Sequence, residues 1–216
     1  MKRVFGAAEA IFDIVYLMAG ALIGILLAMG ADGNYPRLLS GIMALFLIGG
    51  DFFHLLPRVK AVISGDEEKS RPSIGRGKQI SSITMTIFYL FLWHIGLLAF
   101  SPQNVSGFSY TIYLLAIVRI ALCLLPQNKW EERYPPVRWG VLRNIPFFLI
   151  GIMVAALYFF CGNPWEAPGM VWIAVILSFL FYFPVVLWVN KNPKIGMLML
   201  PKTLVYLWLL TIFLTL

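Results

Sequence analysis

Four ionisable side chains interrupt long apolar stretches of this chain, and they are the residues best placed to do chemistry. They are two acids and two bases, namely Asp13, Asp51, Arg119 and Lys202. A charge at membrane depth costs about 3 kcal/mol or more unless it is paired or hydrated. Such residues therefore bind ligands, relay protons or pair with one another. The pattern predicts either a substrate or ion site or two structural ion pairs.

The four residues are predicted to lie at one depth in the membrane. At ~1.5 Å of rise per residue, Asp13 lies roughly 10–13 Å from the inner face and the other three lie about 9–10 Å from it. Four neutral polar residues fall at a similar depth, namely Ser82, Thr84 and Thr86 in the third apolar stretch and Tyr182 in the sixth. Together they predict a polar pocket open to the cytoplasm, walled by the first, second, fourth and last helices.

Acid–base chemistry is the reaction type that this set favours. Asp51 is the candidate general acid or base, and His54, three residues later on the same helix face, is placed to relay its proton. Asp13 supplies a second carboxylate. Arg119 and Lys202 are candidates to bind the anionic headgroup of a lipid or a small anionic substrate. The chain has no Gly-x-Ser-x-Gly motif, which favours acid–base hydrolysis over covalent catalysis.

The two histidines do not fit one metal site. His94 lies near the outer end of the third apolar stretch, ~15 Å or more from the level of His54. Because ligands of one zinc ion lie about 2 Å from the metal, the two histidines cannot share it. We therefore predict no metal and no cofactor, and we expect His94 to form a hydrogen bond between helices.

The elements that position these residues follow from composition. Hydrophobic residues make up 60% of the 216 residues and charged residues 12%. The apolar residues fall in runs of about 20, the length of a membrane-spanning helix. Ten-residue alternation, the pattern of barrel strands, is absent from the sequence. The chain is predicted to be a single all-α membrane domain, a helix bundle over residues 1–216. The predicted spans lie at about 7–29, 38–56, 80–100, 108–125, 143–162, 168–189 and 195–216.

The distribution of Lys and Arg orients the predicted bundle. These residues collect ahead of the first span and in 57–79, 126–143 and 190–194, whereas Arg37 is the only basic residue of the alternate connections. Basic short loops are typical of the cytoplasmic side, so the N-terminus is predicted inside and the C-terminus outside. The net charge of +7 is then explained by orientation and by attraction to membrane lipids, not by nucleic acid. Segment 57–79 is expected to be a polar, mobile cytoplasmic loop.

One stretch resembles a known family. Gly50-Asp51-Phe-Phe-His-Leu-Leu-Pro57-Arg58 resembles the YhhN-type lysoplasmalogenase family, in which a Gly-Asp near the end of a membrane helix is followed by a similar Leu-Leu-Pro. The next helix, with Thr86-Ile-Phe-Tyr89, is loosely similar to the helix that follows in those proteins. The resemblance implies a membrane hydrolase that cleaves the vinyl-ether bond of lysoplasmalogens, with Asp51 as its acid–base group.

The remainder of the chain departs from that family in two respects. A second aspartate of the family precedes an Asn-Lys pair in a later helix. Here Asn190-Lys191 is present, but Pro184 stands roughly where that acid belongs. The family also has one more span than is predicted here. Outside the motif, the chain is similar to uncharacterised bacterial membrane proteins, which implies the bacterial inner membrane.

Three functions therefore remain open at the level of sequence. The first is a lipid or lysolipid hydrolase. The second is a small-solute transporter coupled to protons through Asp13 or Asp51, although no internal repeat of the kind typical of transporters is present. The third is a non-catalytic scaffold or regulatory subunit that binds a partner through 57–79.

Overall fold

The computed structural model describes residues 2–216, and it describes the side chains of all of these except residues 2–5, 7 and 67. Over that range the chain is all-helical, without strands, and seven helices are long and apolar enough to cross a membrane. They are α1 (Lys2–Met29), α2 (Tyr35–Ser64), α3 (Glu67–Phe100), α4 (Ser106–Leu124), α5 (Val137–Cys161), α6 (Val171–Trp188) and α7 (Met199–Ile212). The predicted all-α chain with about seven apolar helices is confirmed.

The helices pack in chain order and close into a ring. Each helix contacts the next one, and α7 returns to contact α1. Helix α3 also contacts α5 directly, so α4 packs on the outside of the α3–α5 pair. Helix α3 therefore borders both α1–α2 and α4–α5, the two helix pairs that carry most of the charged residues singled out above.

Aromatic side chains fill the centre of the bundle around Tyr89 of α3. Its ring lies 5.6 Å from Phe88, 4.9 Å from Phe147 of α5 and 5.8 Å from Phe179 of α6, measured between centroids. Phe88 in turn meets Tyr206 of α7 edge-on at 5.7 Å. Because lipid tails are as apolar as these rings, the helices associate through close van der Waals packing. The aromatic cluster thus joins α3, α5, α6 and α7.

Helices α2 and α3 continue through the segment expected to be a loop. They have 30 and 34 residues, so they are about 45 and 51 Å long, whereas the hydrocarbon core is about 30 Å thick. Gly65, at φ +71°, ends α2 in the left-handed conformation, and the Asp66 side chain caps α3 by accepting from the Lys69 N–H at 3.2 Å. Segment 57–79 is thus a helical hairpin with a tight turn, and the prediction of a loop there is wrong. The cap residues stabilise the helix ends in a stretch whose Ser- and Gly-rich composition is typical of loops.

Two glycines set the distance between α2 and α3. A Cβ on Gly50 would overlap the Thr84 side chain, and a Cβ on Gly77 would overlap the backbone carbonyl of Phe53. Glycine at such positions lets membrane helices approach closely. This approach brings Ser81 of α3 beside Asp51 of α2.

Candidate functional site

The carboxylate of Asp51 is held by hydroxyl groups from two neighbouring helices. Tyr16 of α1 donates its hydroxyl to Oδ2 at 2.7 Å, and Ser81 of α3 donates its hydroxyl to Oδ1 at 2.9 Å. Hydrogen bonds to an ionised acceptor are stronger than bonds between neutral groups. Three helices therefore fix the position and orientation of this carboxylate.

Two further residues predicted to be catalytic lie on the same helices. Asp13 is buried and has no hydrogen-bond or ion-pair partner among the described side chains. Arg58, Glu9 and Asp51 are its electrostatic neighbours. The Nδ1 atom of His54 is buried without a hydrogen bond, and the predicted proton relay through His54 stays a prediction. The fold brings the two carboxylates into electrostatic range and leaves the imidazole unbonded at Nδ1.

Arg119 forms a separate site between α3, α4 and α5. Its Nε donates to Thr86 Oγ1 at 2.8 Å, and its Nη1 donates to Asn144 Oδ1 at 3.1 Å and to the Arg143 carbonyl at 3.2 Å. The guanidinium carbon lies 3.5 Å from the centroid of the Phe147 ring. A desolvated cation–π contact of this kind stabilises by about 2 kcal/mol. The guanidinium is thus buried among neutral acceptors and an aromatic face.

Lys202 lies between two tyrosine rings of the α6–α7 side. Its Nζ is 4.4 Å from the ring centroid of Tyr182 and 5.1 Å from that of Tyr206. The Tyr182 hydroxyl donates to Asn144 Oδ1 at 3.2 Å, the same oxygen that accepts from Arg119. Tyr182 therefore connects the lysine to the arginine.

The alternative of two structural ion pairs is not found in the described part of the chain. The ion pairs there are Glu9–Arg58, Asp66–Lys69, Glu68–Arg71, Arg76–Glu131 and Lys129–Glu132. None of them includes the four intramembrane charges. Asp51 is within electrostatic range of Lys202, but the two are not within the 4.0 Å of an ion pair.

The candidate residues thus form two adjoining networks. The acid network consists of Asp13, Tyr16, Asp51 and Ser81. The arginine network consists of Thr86, Arg119, Arg143, Asn144 and Phe147. Two surface depressions, of about 390 and 420 Å³, lie elsewhere, one at the α2–α3 turn and one beside His94. Neither is lined by a member of the two networks.

The described residues contain no group of three His, Cys, Asp or Glu side chains that could hold a metal ion. His94 instead meets Tyr113 of α4, with 2.9 Å between Nε2 and the hydroxyl oxygen. The predicted hydrogen bond between helices at His94 is confirmed.

Sequence reasoning missed three residues that hold the charged groups in place. Tyr16 lies three residues after Asp13 in α1, so a helical-face argument places both side chains on one side of that helix. Asn144 interrupts the apolar run of α5 and directly follows Arg143, a basic residue that was predicted to lie in a loop. Ser81 carries no distinguishing signal, because Ser82, Thr84 and Thr86 follow it in the same helix.

No family model matches this chain, and no curated protein and no solved structure is similar to it. The resemblance of Gly50–Arg58 to the lysoplasmalogenase motif stays a prediction. The function is therefore argued from the geometry of the two networks.

Proposed function

We propose that this protein is a membrane-embedded hydrolase of lipids or lysolipids in which Asp51 is the acid–base group. One observation carries the proposal: two hydroxyl donors hold the Asp51 carboxylate, and no cation of the described residues forms an ion pair with it. A carboxylate that served only to join helices would be expected to be neutralised by a basic partner. An intramembrane acid without one is expected to act in binding or proton transfer.

The two carboxylates of the acid network are suited to different roles. Hydrogen bonds from Tyr16 and Ser81 orient the Asp51 carboxylate, and we assign it as the base that takes a proton from the attacking water. Asp13 is buried, and no donor of the described residues bonds it, so we assign it as the acid that protonates the leaving group. Water gives one proton to Asp51 and its hydroxyl group to the substrate, while Asp13 gives a proton to the leaving group as the scissile bond breaks. The cycle is complete when a proton passes from Asp51 back to Asp13.

The remaining predicted residues complete the proposed site. His54 lies one helical turn from Asp51, and its unbonded Nδ1 could exchange protons with the acid network through water. Lys202 lies within electrostatic range of Asp51 and would attract the negatively charged part of a substrate. The resemblance at Gly50–Arg58 names lysoplasmalogens as the first substrates to examine.

The decisive assay measures hydrolysis of a panel of lysolipids and lysoplasmalogens by detergent-purified protein. Asp51→Asn is expected to abolish turnover while its Tm stays near that of the wild type. Asp32→Asn is the matched control, because the same change is made at an exposed residue between α1 and α2 and should leave turnover unchanged. Full turnover in Asp51→Asn would contradict the catalytic role. No turnover of any lipid by wild type would contradict the hydrolase and direct attention to solute uptake in proteoliposomes.

We also propose that the N-terminus faces the cytoplasm of a bacterial inner membrane, as the distribution of Lys and Arg favours. The α2–α3 hairpin then lies in the cytoplasm and the end of α5 lies outside. Cys161 is exposed at that end, whereas Cys123 is buried. A membrane-impermeant maleimide should label Cys161 in spheroplasts. In a double variant, Ser64→Cys with Cys161→Ser, the thiol introduced in the hairpin should stay unlabelled until the membrane is opened. The reverse pattern would invert the topology.

A further inference from the structure

We propose that Arg119, Arg143 and Lys202 form a binding site for a phosphate group, carried by a lipid headgroup or free in solution. The site is called the anion site below. It lies beside the acid network, and the inference does not depend on lipid hydrolysis at Asp51.

The three cations lie along one continuous chain of contacts. Lys202 stands over the Tyr182 ring, the Tyr182 hydroxyl bonds Asn144, and Asn144 accepts from Arg119. The Arg143 carbonyl accepts from the same Nη1 atom of Arg119, which ties the second arginine to the first. Arg119 and Lys202 lie close enough to repel each other electrostatically, as do Arg119 and Arg143. Arg119 thus has two cations in its surroundings, Arg143 and Lys202.

The protein itself supplies little negative charge to this group. The described residues place no carboxylate within ion-pair distance of any of the three cations. Asp51 is in electrostatic range of Lys202, whereas the electrostatic partners of Arg119 and Arg143 include no acid. A buried charge that lacks a counter-ion is costly in a low-dielectric interior. An anionic ligand would remove that cost.

Aromatic rings occupy one side of each cation. Phe147 lies under Arg119 at 3.5 Å, Trp130 under Arg143 at 4.1 Å, and the Tyr182 ring under Lys202 at 4.4 Å. A ring face attracts a cation and holds it in place, but it carries no net charge. The rings therefore orient the three groups without neutralising their charge. Because Nε and Nη1 of Arg119 already donate within the protein, Arg143 and Lys202 are the members with more free N–H donors for an anion.

Arg143 is the member best placed to receive a ligand. It is partly buried, and one of its nitrogens, Nη1, donates to Asn128 Oδ1 at 2.7 Å. Asn128 is fixed in turn, because its Nδ2 donates to the carbonyls of Leu122 and Leu125 at 2.6 and 2.9 Å. A guanidinium oriented in this way retains further N–H donors in the planar geometry that matches phosphate oxygens. A site so prepared needs little reorganisation when the anion arrives.

The binding test uses two matched pairs of probes on detergent-purified full-length protein. The first pair is sodium phosphate against sodium chloride at equal ionic strength. The second is phosphatidic acid against diacylglycerol with the same acyl chains, which differ only in the phosphate group. In each pair the phosphate-bearing probe should raise the Tm in a saturable manner.

The variants separate the anion site from general surface charge. Arg143→Gln and Lys202→Gln should each weaken the saturable binding about tenfold, the effect of losing one charge-assisted hydrogen bond. They are preferred to Arg119→Gln because Arg119 also holds three helices together. Arg138→Gln is the matched control, since Arg138 is an exposed arginine on the same helix as Arg143. Asp51→Asn should keep the shift, which separates this result from the outcome of the hydrolysis assay.

Each outcome decides the inference. A shift with phosphate that is reduced in Arg143→Gln and Lys202→Gln supports the site and identifies free phosphate as sufficient. A shift with phosphatidic acid alone, reduced in the same variants, supports it and identifies a lipid headgroup as the ligand. No shift with either probe overturns the inference, and so does a shift that Arg138→Gln reduces as much as Arg143→Gln does.

Discussion

The acid network and the arginine network contain opposite charges, yet both hold their charge with neutral partners. Asp51 accepts from two hydroxyls, and Arg119 donates to a hydroxyl, an amide oxygen and a carbonyl. Helix α3 serves both networks with the same kind of side chain, because the Ser81 hydroxyl donates to the acid and the Thr86 hydroxyl accepts from the base. In both networks, neutral hydrogen-bonding groups hold the charged side chain, and an ion pair between the networks does not. The charge of each side chain therefore stays available to a ligand of opposite sign.

Removing the guanidinium should give the largest effect on stability. Arg119→Leu leaves Thr86 Oγ1 without its donor, removes one of the two donors to Asn144 Oδ1 and removes the stacking on Phe147. We expect the free energy of unfolding to fall by about 2–4 kcal/mol, measured by SDS titration in mixed micelles. Arg138→Leu, at an exposed site, should change it by no more than about 0.5 kcal/mol. Equal losses in the two variants would mean that the network does not stabilise the bundle.

The acid network should be weakened by the loss of a single oxygen atom. Tyr16→Phe removes the shorter of the two hydrogen bonds to Asp51 and is expected to cost about 1.5–3 kcal/mol, the range for bonds to charged groups. Tyr110→Phe is the control, because Tyr110 is 74% exposed. In a double-mutant cycle, Tyr16→Phe should cost much less in the Asp51→Asn background. An unchanged cost there would show that Tyr16 acts independently of Asp51.

Lys202 provides the sharpest contrast with Arg119. Its contacts are the faces of two tyrosine rings, and among the described residues it forms no ion pair, whereas Arg119 donates three hydrogen bonds. Lys202→Met keeps the length of the side chain and removes the charge. The free energy of unfolding should stay the same or rise by up to about 1 kcal/mol. A loss above about 2 kcal/mol would show that Lys202 is paired as tightly as a structural buried charge.

The smallest effect is expected at the peripheral ion pair between Glu9 and Arg58. Both side chains are about one-third exposed, at 31% and 37%. Arg58→Gln should reduce the free energy of unfolding by about 0.5 kcal/mol at low salt, and by less at high salt. If Arg58→Gln lowered the free energy of unfolding as much as Tyr16→Phe does, and equally at low and high salt, Arg58 would belong to the acid network.

The sequence predicted the seven apolar helices well, because apolar runs of membrane length identify spans. Counting helical rise also placed Thr86 and Arg119 at a similar level, and their side chains are hydrogen-bonded in the fold. The sequence did not predict that Asp51 would be bonded by Tyr16, 35 residues away, because that contact depends on how α1 and α2 are rotated about their axes.

The helical hairpin shows a second limit of the sequence prediction. Its Ser, Gly and charged residues are individually typical of loops. Gly65 and Asp66 cap the two helices at the tip. The polar part of α3 is also held by residues outside the segment, because Gly75 packs against the backbone of Trp130 and Arg76 pairs with Glu131. Such stabilisation comes from residues distant in the chain, and local composition does not reveal it.

The hairpin also sets how far its tip stands from the acid network. Ser64 lies about 20 Å along α2 from Asp51, and Pro57 falls between them inside the helix. Because proline removes one hydrogen bond of the helix, α2 is expected to bend more easily at this point than elsewhere. A displacement of the turn would therefore be absorbed first at Pro57, before it reaches the Ser81–Asp51 hydrogen bond.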